Sequence, residues 1–371
     1  MSQKTVLFDL HEQSGARIVD FHGWLLPVQY QGILAEHKAC RESAAVFDTC
    51  HMAQFAISGP GAAAALERLL TQRASALKVG RCKYGLLLQG DGGILDDTVL
   101  MRLGEEDFLL VANAGTRQSN FDYLQANLPG EVSLVDNTTQ WGKVDIQGPA
   151  AYEVLSSLFE GECPKLGYFG ATRTEILGSP CILSRTGYTG ELGFELYAPC
   201  EATRDQFSRF LEHPLVSPAG LGARDLLRLE MGYLLYGQDI STEINPLEAD
   251  LSFFFNIEDD FVGAEALRRA SQNGLARKLV AFRGEGRRRA ETGQRILSEG
   301  KQVGEVTSSL FSPSVGVMVG MGYVVPDFAT VGTSLTIAHP RTELAITLSD
   351  TPFYEGATCR DLNAWEKNKN Q

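Results

Sequence analysis

From Arg277 onward the chain breaks into six short stretches separated by turns: Lys278–Arg283, Gln294–Ser298, Val303–Ser308, Val317–Val324, Ser334–Ala338 and Leu344–Leu348. Alternation of apolar and polar side chains marks strands covered on one face. So many strands in so few residues must stack into a sandwich or close into a barrel. A helix bundle is excluded for this region. The whole chain, with 38 Gly against 14 Pro, points the same way, toward many tight turns and a mixed architecture.

Upstream the pattern is different. At 371 residues the chain has room for two or three domains. Thr5–His51 reads as a helix, a turn at Gly23–Pro27 and a second helix around Gln31–Ala45. Thr49–Ile57 then alternates as a strand, and Gly59–Leu70 turns into a helix. Tyr84–Leu88, Thr98–Leu103 and Phe108–Ala112 read as strands, followed by a helix at Arg117–Asn127, which makes a compact unit over about 55–135. A strand ending at Gln147, a helix at Ala151–Phe159, strands at Thr172–Leu177, Cys181–Ser184 and Phe194–Tyr197, and helices at Glu201–Leu211 and Ala223–Gly232 complete the middle. The polar end, Trp365–Gln371, reads as frayed.

Charge and composition remove several classes of function. The balance of 33 Lys+Arg against 46 Asp+Glu gives a net charge of −13, a surface that repels phosphate backbones, so no nucleic acid is expected. No run of about 18 apolar residues occurs, and no membrane partner is expected. The opening MSQKTVLFDL has too short an apolar core for a signal peptide, so the cytoplasm is the expected location. Seven scattered cysteines without a C-x-x-C pair suit a reduced compartment. The six histidines lack metal-ligand spacing, and no metal is expected. Neither a G-x-S-x-G elbow nor a G-x-G-x-x-G fingerprint is present.

Three constellations could carry chemistry. Gly92-Gly93-Ile94-Leu95-Asp96-Asp97 places two acids at the entry to a strand, where neighbours face opposite sides. Only one can point into a given pocket, as a buried acid that accepts or positions a proton; the plainer reading is a hairpin turn with solvated acids. Ser184-Arg185-Thr186-Gly187-Tyr188-Thr189-Gly190-Glu191-Leu192-Gly193-Phe194-Glu195 reads as a binding loop. Its glycines let backbone approach a flat ligand, Tyr188 can stack, and Glu195 can grip an amidine-like edge through two parallel hydrogen bonds. In Gly220-Leu221-Gly222-Ala223-Arg224-Asp225, Arg224 at a helix start is placed to bind a carboxylate, while Arg228 and Glu230 read as ion-pair residues.

These motifs, together with GARIVDFHGWLLPVQY (15–30), EHKACRESAAVFDTCHM (36–52), YLLYGQD (233–239) and FSPSVG (311–316), make the chain resemble the glycine cleavage T-protein family, tetrahydrofolate-dependent aminomethyltransferases. The resemblance runs nearly end to end. It implies an α+β fold of three domains arranged as a cloverleaf around a central folate cavity, with a C-terminal all-β domain. The first domain would be 1–52 plus 137–250, the second 53–136 and the barrel-like third 275–360. It further implies Asp97 as the catalytic carboxylate, Glu195 as the pterin anchor, and Arg224, Asn113, Tyr84, Tyr168, Tyr188 and Met52 as folate-site residues. Tetrahydrofolate would be the one-carbon acceptor and a lipoylated H protein the transient partner. That carrier is expected to be acidic, so docking would need a local basic patch, at Arg287-Arg288-Arg289 or at Arg224 and Arg228. Two related readings remain open: a folate-dependent demethylase of a small methylated donor, and a non-catalytic folate-binding protein of iron–sulfur assembly. Against the latter, the loop at Arg185–Glu191 holds no cysteine.

Overall fold

In the computed structural model, which describes residues 2–339, 342–364 and 367, the chain is a mixed α+β protein with a closed C-terminal barrel. The barrel closes in the order Lys278–Gly284, Met318–Val324, Lys301–Phe311, Arg295–Ser298, Ser334–Ile337, Leu344–Ser349. Its interior holds Phe282, Ile296, Val306, Met318, Ile337 and Ile346, the inward half of each alternating stretch. Of the two architectures open to these strands, the barrel is the one formed. Of the polar end 365–371, only Lys367 lies within the described residues.

A five-stranded sheet carries Arg81–Leu88, Ile94–Gly104, Asp107–Ala112, Ala53–Ser58 and Ser133–Asp136, in that order, with the helices Ala62–Leu69 and Arg117–Asn127 as its other elements. A six-stranded sheet carries Ala171–Ile176, Ser179–Ser184, Gly193–Pro199, Trp141–Gln147, Ala44–Asp48 and Val216–Pro218. The strand Ala44–Asp48 thus sits between Trp141–Gln147 and Val216–Pro218, so chain from before the five-stranded sheet pairs with chain from after it.

Three apolar seams join the bodies. Cys82, Met101, Leu109 and Val111 of the five-stranded sheet pack on Ala171, Ile182 and Tyr197 of the six-stranded one. Leu86, Leu88 and Ile94 pack on the segment containing Ile240, Ile244 and Phe261, and reach Tyr323 of the barrel. Leu229, on the helix Leu221–Glu230, packs on Val319 and Met321 of the barrel. Arg228 reinforces the last seam: fully buried, it bonds Ser308 of the barrel (2.8 Å) as well as Asp239 (2.6 Å), Asp225 (2.8 Å) and the Tyr233 carbonyl (3.0 Å).

The first fifty residues depart from the sequence reading. After the helix Phe8–Gln13 the chain forms a hairpin, Arg17–Phe21 with Trp24–Gln29, turning at His22 and Gly23 with φ of 50° and 83°. The second helix stops at Glu42, not Ala45, and Ala44–Asp48 is a fully buried strand. Such a strand is apolar on both faces and shows no alternation to read.

Candidate active site

The two acids of GGILDD lie inside the long strand Ile94–Gly104, and neither is a solvated turn residue. Asp96 is buried and fully provided for. It accepts bonds from the Asn113 side chain (2.6 Å) and backbone (3.1 Å), Thr116 (2.6 Å), Asn120 (2.5 Å) and the Asp97 backbone N–H (3.0 Å). Asp97 is only partly covered, and it takes Asn113 Nδ2 at 2.7 Å and the Tyr84 hydroxyl at 3.2 Å. Burial, then the charge of Asp96, pushes its carboxyl up to about 7. Alternation holds, yet one Asn113 amide bridges both carboxylates. The Tyr84 ring packs 4.5 Å from Phe254, and burial raises its hydroxyl well above the usual range.

A second cluster lies on the six-stranded sheet. Lys143 and Asp145 share one face of Trp141–Gln147, being two residues apart. The register sets Asp145 opposite Glu195 and Lys143 opposite Tyr197. Lys143 Nζ bonds Asp145 and lies 2.9 Å from Glu195 Oε1; Glu195 Oε2 accepts from Thr186 (2.7 Å) and Tyr197 (2.8 Å). A carboxylate has about four acceptor positions. Three are taken, so the two-bond grip expected of Glu195 is reduced to one open position, on Oε1. The helix Leu221–Glu230 sets Arg224 against this cluster, with Nη1 2.9 Å from Asp145 and its guanidinium 5.0 Å from the Tyr188 ring centroid. Burial is the main cause that draws nearby His51 down to about 4, so the ring is neutral at pH 7.

The structure joins Asp97, Asn113 and Tyr84 in one group, and Glu195, Arg224 and Tyr188 in another. Tyr188 also stacks on Tyr233 at 5.8 Å, and its hydroxyl bonds the Leu234 carbonyl. Met52 packs into the seam between the sheets, against the cluster of Val111, Ile182 and Tyr197. Tyr168 stands apart, edge-on to Phe169 with Arg360 5.2 Å from its ring centroid. Buried Lys143 and Asp145 belong to the second group although nothing in the sequence reading picked them out. A charged pair at i and i+2 in an otherwise apolar strand was the available signal.

The glycines of the loop serve a different purpose from the one expected. A Cβ on Gly187 or on Gly193 would lie 2.1 Å from Gln147 Oε1, and one on Gly190 would lie 2.3 Å from Met231 Sδ. They admit protein side chains close to the loop backbone. Gly220 and Gly222 are likewise pressed on Val28 and Ile33, which seats the helix carrying Arg224.

A raised carboxyl held by an amide and a phenol, with Tyr188 of the second group close enough to Asp97 and Tyr84 for their charges to interact, is the arrangement of an enzyme site for a small polar molecule. Residues 7–259 match the GCVT N-terminal domain and residues 277–355 the glycine cleavage T-protein C-terminal barrel domain. An aminomethyltransferase of Halothermothrix orenii is 39% identical over 90% of this chain and 95% of its own length. One from Rubrobacter xylanophilus is 42% identical over 88% of each. The crystal structure of glycine cleavage system aminomethyltransferase T from Bartonella henselae superposes with a TM-score of 0.92 at 33% identity, covering 96% of this chain and 99% of that one. The chain belongs to the glycine cleavage T-protein family.

Proposed function

We propose that this protein is an aminomethyltransferase. It takes the aminomethyl group carried as an S-adduct on the dihydrolipoyl arm of an H protein, passes the methylene to tetrahydrofolate and releases ammonia. The products are 5,10-methylene-tetrahydrofolate and the dihydrolipoyl carrier. The observation that carries the reading is the division of labour within GGILDD: five donors hold Asp96 in place, while Asp97 keeps open acceptor capacity beside Tyr84 and Asn113.

In this reading Asp97 is the catalytic residue. Its carboxylate opposes the positive charge that develops on the transferred carbon, and accepts or holds the proton released as a nitrogen attacks that carbon. Asn113 and Tyr84 fix its orientation. Glu195 receives an N–H of the pterin edge at the open position on Oε1, Tyr188 flanks the ring, and Arg224 supplies a cation beside that ring. The donor set suits this acceptor, since it offers an acceptor, an aromatic face and a guanidinium within one connected cluster. Met52, packed into the seam between the sheets, and Tyr168, outside both groups, carry no direct contact with the acceptor in this reading.

The test is formation of methylene-tetrahydrofolate with aminomethyl-lipoyl H protein as donor. Turnover with that donor, and none with a small N-methyl or sulfonium donor, supports the reading. The reverse pattern makes the protein a demethylase. Folate binding without turnover on either donor makes it a non-catalytic folate protein.

A further inference from the structure

Across the ladder between Trp141–Gln147 and Gly193–Pro199, two acidic residues stand directly opposite one another, Asp145 and Glu195. Like charges so placed are destabilising, and Asp145 is fully buried. The arrangement persists because Lys143, itself fully buried, reaches both carboxyl groups. Asp145 carries two further bonds, from Thr49 at 2.8 Å and from Arg224 at 2.9 Å. Burial opposes its negative charge, but Lys143 and Arg224 outweigh that and keep its carboxyl below the ordinary range. The formal charges of Lys143, Asp145, Glu195 and Arg224 sum to zero, and each of the two side chains on the strand Trp141–Gln147 holds a group of opposite charge from another element.

We propose that Lys143 and Asp145 are a positioning pair for the acceptor site, and the proposal rests on the folate reading above. Lys143 fixes the rotamer of Glu195, which comes from the neighbouring strand. Asp145 fixes the guanidinium of Arg224, which comes from the helix Leu221–Glu230. Residues two apart on a strand keep a fixed separation, so the pair sets the distance between an acceptor and a cation supplied by separate elements. Without it Glu195 keeps only the bonds that Thr186 and Tyr197 make to Oε2, and Arg224 loses its carboxylate partner, so ligand binding must supply more of the ordering. Neither Lys143 nor Asp145 touches the reacting carbon. Their loss therefore appears in acceptor affinity and leaves the chemical step at Asp97 little changed.

The double variant Lys143→Met/Asp145→Ala removes both charges together, so the net charge of the cluster stays zero, with Glu195 and Arg224 as its remaining opposite charges. The expected result is a rise of about tenfold or more in the KM for tetrahydrofolate, matched in Kd by calorimetry, with kcat at saturation within about threefold. An unchanged KM in a folded double variant overturns the proposal. Should the double variant not fold, Asp145→Asn replaces it: this keeps the size of the side chain and removes its charge. For this variant a KM rise of at least about threefold supports positioning, and none overturns it. Glu195→Gln run alongside separates the two readings. If it leaves folate affinity unchanged, the acceptor site lies elsewhere and the folate reading of this cluster fails. If it weakens affinity while the pair variants do not, only the positioning role fails.

Discussion

At the scale of single residues, two adjacent acids of identical chemistry have been given opposite surroundings. Asp96 faces five donors, and an amide in its place would turn its NH2 against some of them. Asp96→Asn therefore reads out mainly as lost stability, measured as a lower Tm. Asp97→Asn should instead fold normally and lose kcat by on the order of 100-fold, the scale of a general acid–base or charge-stabilising group; an equal kcat loss at both positions would refute the assignment. The pH dependence follows from the raised carboxyl. In the unfolded chain Asp97 releases its proton near 3.8, whereas in the folded protein it does so only at about 7. The folded state binds the extra proton in between, so wild-type stability falls as pH rises from about 4 to 7. Denaturation across that window should show Asp97→Asn gaining on wild type as pH rises, and wild-type turnover should grow through about pH 7 as the working carboxylate forms.

At the scale of elements, the helix Leu221–Glu230 ends in a buried cluster. Glu230 accepts from His37 (2.8 Å), Arg41 (2.7 Å), Ser312 (2.5 Å) and Ser314 (3.1 Å). Burial works against its charge, but these partners hold the carboxyl down to about 2. A depressed carboxyl stabilises the fold above its unfolded value of 4.5, and that stabilisation drains away as pH falls toward 2. Glu230→Gln should cost about 3 kcal/mol at pH 7, measured by urea titration, with the gap to wild type closing below about pH 4. The same scale shows what could be read in advance. Most barrel strands were legible because they have one dry and one wet face; Met318–Val324, buried at every residue, was legible as a short apolar run between turns. The hairpin was not, since Pro27 reads as a break; it is tolerated because pairing with Gln3–Lys4 stops at Leu25, which leaves that edge of the strand open at Pro27. The acids, Tyr84, Asn113, Glu195 and Arg224 were legible by resemblance to a family. Lys143 and Asp145 were not, because a buried charge pair looks like a surface one until its neighbours are known.

At the scale of the whole molecule, the net charge of −13 leaves no long-range pull toward an acidic carrier. Arg228, one expected docking residue, is buried among four partners and cannot serve. For docking we propose the exposed run Arg287-Arg288-Arg289, in which Arg287 lies 4.5 Å from the Phe311 ring centroid. Reversing the three to glutamate should raise the KM for H protein at low salt and flatten its salt dependence, with folate affinity unmoved; indifference to the reversal would send docking elsewhere. The helix that carries Arg224 toward the acceptor site is seated at its far end by Ser312 and Ser314, and Glu191 of the binding loop is bonded by Thr358. These three residues follow every residue of both groups in chain order. In the reading proposed above, the acceptor cluster is therefore braced by contacts from beyond residue 311, whereas Asp97 depends on a sheet that is already complete at Asp136.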